Sequence, residues 1–235
     1  VAFYIGALLA PDLNEIFSGF VRILTKPAVL TKDYFFLELG SISGSCLNAG
    51  IIGTICCAMM FLPGMVATGT TVAAFFLTAG FCFYGMNPLN LLPFVLGVFV
   101  YSRIKRQPFA KFVNFAMFST ALAPLISEVL FRYPGTETHG ITLLGVALAL
   151  LIGVVTGCAM PALCAHSPGF HKGYDLYNAG PAAGFLCFLF FAVMYKTLGI
   201  EAPTIAATLG EGNWAFVNVF CIITFALCIV AGFFL

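Results

Sequence analysis

The feature that most limits this chain is an uncharged run. From residue 39 to residue 102, between Glu38 and Arg103, 64 consecutive positions carry no Asp, Glu, Lys or Arg. A bilayer core of about 30 Å takes about 20 helical residues per crossing. The run is therefore too long for two spans without a polar loop, and short for three full ones. Pro63-Gly64 and Gly85-Met86-Asn87-Pro88 are turn signals. They divide the run into spans at 40–62 and 65–84 and a short apolar piece at 89–102. Pro93 and Gly97 within that piece predict a broken or re-entrant segment. Irregular backbone at membrane depth persists only where protein or a water-filled cavity satisfies it, so such a break is a first pointer to function.

Composition points the same way. Ten Lys/Arg and nine Asp/Glu make 8 % of the chain, and the hydrophobic class takes 61 % at a mean hydropathy of +1.06. A soluble domain carries about 25 % charged residues, and this chain could not cover so much apolar surface in water. No basic patch is large enough for a phosphate backbone, which removes nucleic acid as a partner. Further uncharged runs at 112–127, 138–171, 176–195 and 212–235 predict spans at 112–131, 140–163, 178–198 and 214–235. Residues 1–24 begin apolar and are interrupted by Pro11-Asp12 and Glu15. The expected fold is all-α: one polytopic transmembrane helix bundle over 1–235, multi-pass in a cell membrane, with the lipid bilayer as its first partner. A homo-oligomer is compatible with that class. There is no initiator Met and no signal-peptide pattern, and Phe233-Phe234-Leu235 lie inside an apolar run, so a piece of a longer protein is expected.

Basic loops set the expected orientation. Arg103, Lys105, Arg106 and Lys111 place their connection in the cytoplasm, with 132–139 outside, 164–175 inside and the acidic 199–212 loop outside. Arg22, Lys26 and Lys32 read as cytoplasmic too, which requires an even number of crossings between 33 and 102 and favours the re-entrant reading.

Nine cysteines show no Cys-x-x-Cys and no Cys/His ligand spacing, so neither a metal nor a disulfide framework is implied, and no cofactor is indicated. Gly145, Ala149, Gly153 and Gly157 form a small-residue stripe suited to close helix packing. Two echoes point to an internal repeat with halves 1–111 and 112–235. Leu47-Asn48-Ala49-Gly50 returns as Tyr177-Asn178-Ala179-Gly180, and Ala10-Pro11 followed by Glu15 returns as Ala123-Pro124 followed by Glu128. Transporters and channels are often built from two such halves around broken helices.

Four elements occur in order: Leu47-Asn48-Ala49-Gly50, Gly85 to Pro93, Thr120 to Glu128, and Gly173 to Gly180. Together they resemble the bacterial membrane-protein family known as domain of unknown function 1576, over roughly residues 30–200. The resemblance implies a polytopic membrane protein and no particular activity. Pro181 stands where that pattern has a bulkier apolar residue. A looser likeness links Asn48–Gly53 and the Leu-Pro segment Leu91–Gly97 to one half of the urea transporters, whose Leu-Pro segment holds a Thr that this chain lacks.

The candidate solute-binding residues are Asn48, Asn87, Asn90, Asn178 and Glu128. Asn48 and Asn178 open spans, where an Asn is either a helix cap or an inter-helix bond, or an amide facing a central cavity. Asn87 and Asn90 flank Pro88 and have the same two readings. Glu128 is either interfacial or a proton or cation site. His166, His171, Lys172 and Asp175 read as a solvated loop, with His171 a candidate proton relay. No His-Glu-x-x-His and no Gly-x-Ser-x-Gly occurs, so no catalytic residue is named. A channel or transporter for a small polar solute ranks first, an intramembrane hydrolase or transferase second, and a structural subunit third.

Overall fold

The computed structural model describes residues 1–28, 34–35, 39–135, 137–200 and 214–234. Lys32, Glu201 and Glu211, used in the charge argument, lie outside the described residues. Within them the secondary structure is helical throughout. In chain order the elements are α1 (Ala2–Leu9), a 3-10 turn (Leu13–Glu15), α2 (Ile16–Thr25), α3 (Ile42–Met60), α4 (Gly69–Phe81) and α5 (Pro88–Ile104). A 3-10 turn (Phe109–Phe112), α6 (Val113–Ser119), a further 3-10 turn (Thr120–Leu122) and α7 (Ala123–Phe131) follow as one interrupted rod. Then come α8 (Leu143–His166), the single turn α9 (Pro168–His171), α10 (Ala179–Phe191) with a π-helical continuation (Ala192–Thr197), and α11 (Trp214–Phe234). Among the described residues, five stretches are long and apolar enough to cross a membrane: Ile42–Met60, Phe109–Phe131, Leu143–His166, Ala179–Thr197 and Ala215–Phe234. Many Leu, Ile, Val and Phe side chains stand exposed on their outer faces, as a lipid solvent requires. The chain is an integral membrane protein.

The helix starts are made by specific acceptors. Ser41 caps α3, its hydroxyl accepting from the Gly44 N–H at 2.9 Å. Asp12 completes that cap from the turn after α1, its carboxylate accepting from the N–H groups of Ile42 and Ser43 at 2.7 and 2.9 Å. An anion at a helix N-terminus is favoured by both the free N–H groups and the dipole. The Pro11-Asp12 interruption between α1 and α2 thus delivers a carboxylate to the start of α3. Thr142 caps α8 through the Gly145 N–H. Pro181, the third residue of α10, sits in the first turn, whose N–H groups have no intrahelical acceptor, so it does not disturb the helix.

The expected break within 89–102 is absent: α5 runs unbroken for 17 residues with Pro93 inside it. Proline removes one backbone donor, but tertiary packing holds the helix. The Pro93 ring lies against Gly153, and a Cβ at Gly157 would collide with the Phe94 carbonyl, as one at Gly97 would with the backbone at Val154. Gly145, Ala149, Gly153 and Gly157 are all buried. Pro93 and Gly97 therefore serve the α5–α8 interface. The interruptions fall in the α1–α2 pair and between α6 and α7. There, Pro124 cannot donate, the preceding turn tightens to 3-10, and the Ser119 and Thr120 hydroxyls donate to the Ala116 and Met117 carbonyls at 2.8 and 2.6 Å.

The contacts also show which helix ends lie together. The Asn87 amide bonds the Ile23 carbonyl and the Asn90 amide bonds Ser127, so the end of α2, the α4–α5 turn and α7 share one level. Thr70, at the start of α4, lines a cavity with Lys111 at the other end. Arg22 and Lys26 thus lie at the end opposite Lys111, not on the same side as the charge argument expects. The physical reason is pairing: Arg22 is bound to Glu15 at 2.9 Å and to the Gly40 carbonyl at 2.8 Å, so it is not a free cation.

Candidate functional site

Three of the five candidate residues meet around the α4–α5 turn. At 1.5 Å per residue, the 13-residue α4 and 17-residue α5 are each shorter than a full bilayer crossing. Gly85 takes φ +109° there, open to glycine, and a Cβ would crowd Ala28 and Pro124. The freed backbone groups are met by amides. Asn48 donates to the Cys82 and Met86 carbonyls, both at 2.8 Å. Asn87 caps α5, accepting from the N–H groups of Leu89 and Asn90 and donating to Ile23. Asn90 accepts from the Asn87 N–H at 2.8 Å and donates to the Gly85 carbonyl at 2.7 Å and to Ser127 Oγ at 2.9 Å. All three side chains are at most 1 % exposed. Asn48 is the seventh residue of α3, not its cap. One acceptor in this cluster, Asn48 Oδ1, is left without a partner.

Asn178 and Glu128 stand elsewhere. Asn178 precedes α10 at φ +62°, a left-handed position that Asn tolerates. Its Oδ1 accepts from His171 Nε2 at 2.8 Å, while His171 Nδ1 accepts from the N–H groups of Gly173 and Asp175, each at 3.1 Å. Those partners place the ring proton on Nε2. Glu128 pairs with Arg132 and accepts from the Tyr195 hydroxyl, each at 3.2 Å. His171, Ser127 and Glu128 therefore belong to three separate clusters, and no nucleophile is set against a base among them. Among the described residues, no three His, Cys, Asp or Glu side chains are gathered as metal ligands would be.

Two cavities lie in series along α4, α6 and α10. The outer one, about 270 Å³, is lined by Thr70, Lys111, Asn114, Cys164, Tyr177 and Asn178 among others. The inner one, about 220 Å³, is lined by Thr78, Phe81, Ala121, Asp175, Gly180 and Ala183 among others. Phe118 and Tyr177 line both, their rings stacked with centroids 5.9 Å apart. Asn114 Oδ1 and Asp175 Oδ2 are buried without a hydrogen-bond partner among the described residues. A third cavity, about 430 Å³ between α1, α3, α4 and α11, is walled by Phe3, Cys46, Phe83 and Phe220 and carries no charge.

A family model matches residues 13–196, which take in the amide cluster and both series cavities. The family is described as protein of unknown function (DUF1576). The chain belongs to this family. No curated protein and no protein of solved structure matches it, and the likeness to urea transporters finds no support in these comparisons. The DUF1576 match includes three cavity residues that the sequence reading passes over or leaves in a solvated loop: Thr78, Asn114 and Asp175. Asn114 carried a legible signal, an amide inside the uncharged run 112–127. Asp175, placed in a solvated loop by its neighbours in sequence, sets its carboxylate beside the first turn of α10, five positions along the chain.

Proposed function

We propose that this DUF1576 protein is a channel or transporter that moves a small polar solute across a cell membrane between α4, α6, α8 and α10. The observation that carries this reading is the pair of cavities in series, polar at the Lys111 end and divided by the Phe118–Tyr177 stack. In this reading Asn178 touches the solute in the outer cavity. Asn48, Asn87 and Asn90 hold the buried turn in place, and Glu128 ties α7 to the π-helical turn after α10. One turn beyond Ala121 the bundle is closed by the Gly85–Pro124 contact and the Asn90–Ser127 bond, so the path opens toward the Lys111 end. Passage requires the aromatic pair to part and this closure to loosen, motions of the μs–ms class.

Reconstitution into liposomes with a panel of small polar solutes tests the reading. Flux above protein-free vesicles is expected, raised several-fold by Phe118→Ala, which removes half of the partition. Flux no greater than that of empty vesicles for every solute overturns it.

A further inference from the structure

Deepening that transport reading, on which it rests, we propose that the inner cavity binds a small organic cation bearing N–H donors, a primary ammonium, with Asp175 as its counter-ion. The two side-chain atoms left unpartnered along the cavities, Asp175 Oδ2 and Asn114 Oδ1, are both acceptors. Asn114 lines the outer cavity and Asp175 the inner one, where the Oδ2 atom lacks a donor among the described residues. A buried acceptor without one costs about 1–3 kcal/mol, more when charged, and a ligand N–H removes that cost. The terminal torsion of an Asp side chain is soft, so a small turn of the carboxylate brings its oxygen to the cavity wall.

The sign of the local field agrees. An isolated helix N-terminus favours an anion, but at α10 that place is already taken: the Asp175 carboxylate lies 3.8 Å from where a Cβ on Gly180 would sit. A full negative charge against a half-positive helix end leaves the cavity negative. Lys111 and Lys172 are exposed and solvated, and neither pairs with Asp175 among the described residues. Phe81, Phe118 and Tyr177 supply aromatic walls, which attract a desolvated cation. Thr78 Oγ1 donates only a long 3.5 Å bond to the Met117 carbonyl and keeps lone pairs for a ligand N–H. At about 220 Å³ the space falls below that of drug-sized pockets, about 300–1,000 Å³, and Ala179, Gly180 and Ala183 keep it open.

The test compares radiolabelled methylammonium with acetamide, a neutral solute of similar size, in proteoliposomes of wild type, Asp175→Asn and Gly180→Leu. Wild type is expected to pass methylammonium at least about tenfold faster than acetamide, the ratio worth one charge-assisted hydrogen bond. Asp175→Asn should abolish that preference while acetamide flux stays, and Gly180→Leu, which fills the cavity beside the carboxylate while leaving its charge in place, should stop both. Equal passage of the two solutes in wild type, or a preference unchanged in Asp175→Asn, overturns the ammonium site and leaves the transport reading standing. If neither solute moves, the site is decided by binding: methylammonium must raise the melting temperature of wild type in detergent above a sodium chloride control, and must not raise that of Asp175→Asn. Loss of that difference overturns it.

Discussion

The α4–α5 turn and the Lys111–Asp175 cleft are both polar places in an apolar bundle, and they differ in one respect. Around the turn, Asn48, Asn87 and Asn90 use their amide donors on backbone carbonyls, and one acceptor, Asn48 Oδ1, stays without a partner among the described residues. Around the cleft, Asn114 and Asp175 keep acceptors without a partner among the described residues. In a medium without water, a satisfied polar cluster rigidifies, and a half-satisfied one marks a place where something from outside completes it. Polar residues within spans thus differ by how far their partners answer them and not by their type.

The comparison breaks first at the ion pair, where the largest effect is expected. Glu128 and Arg132 are 14 % and 9 % exposed at the side chain. Glu128→Leu leaves the guanidinium buried and unpaired and should cost about 3–5 kcal/mol, read from chemical denaturation in detergent. Adding Arg132→Met should recover most of that loss, since the pair as a whole is worth little against an apolar replacement. Next comes Asn87→Ala, which removes a cap and strands the Ile23 carbonyl; a loss of about 2–3 kcal/mol is expected. Asn114→Leu is the counterpart in the cleft. It deletes an acceptor with no partner, so stability should stay within about 1 kcal/mol of wild type while solute flux changes. A cleft variant as destabilising as Asn87→Ala would erase the distinction between the two regions.

Much of the fold was legible because bilayer thickness converts gaps between charges into helix lengths. The spans expected at 112–131, 140–163, 178–198 and 214–235 reappear as Phe109–Phe131, Leu143–His166, Ala179–Thr197 and Ala215–Phe234. The Gly145–Gly157 stripe was legible for the same reason: close approach needs small residues. Pro93 was misread because a missing donor is visible in sequence, whereas the glycine face of α8 that holds the helix together is 60 positions away. Asn48 looks like a cap in sequence because Ser41 and Asp12, which do the capping, come from the preceding loop and from the distant turn after α1. Candidate residues were legible as polar exceptions only. Whether each amide had a partner depended on Cys82, Met86 and Ile23 arriving beside it, which no local pattern encodes.

His139 gives the smallest effect and the finest test, because it changes population with pH. Its Nδ1 faces the Gly140 carbonyl at 2.8 Å and its Nε2 the Tyr133 carbonyl at 3.1 Å. A neutral imidazole carries one N–H and answers one of them; the imidazolium answers both. The Gly140 carbonyl first, then that of Tyr133, raises the pKa of His139 above its ordinary value, with slight burial opposing. A pKa raised in the fold contributes stability that is complete below the ordinary value of about 6.5 and is lost as pH rises through the folded value. The melting temperature of the wild type should therefore fall slightly on going from pH 5.5 to pH 8.5, within the 132–142 connection that joins α7 to α8. His139→Gln, which offers a donor at any pH, should flatten that slope. A wild-type slope of the opposite sign, or one that His139→Gln leaves intact, would show that the connection is held by other groups and that His139 belongs with the unanswered residues after all.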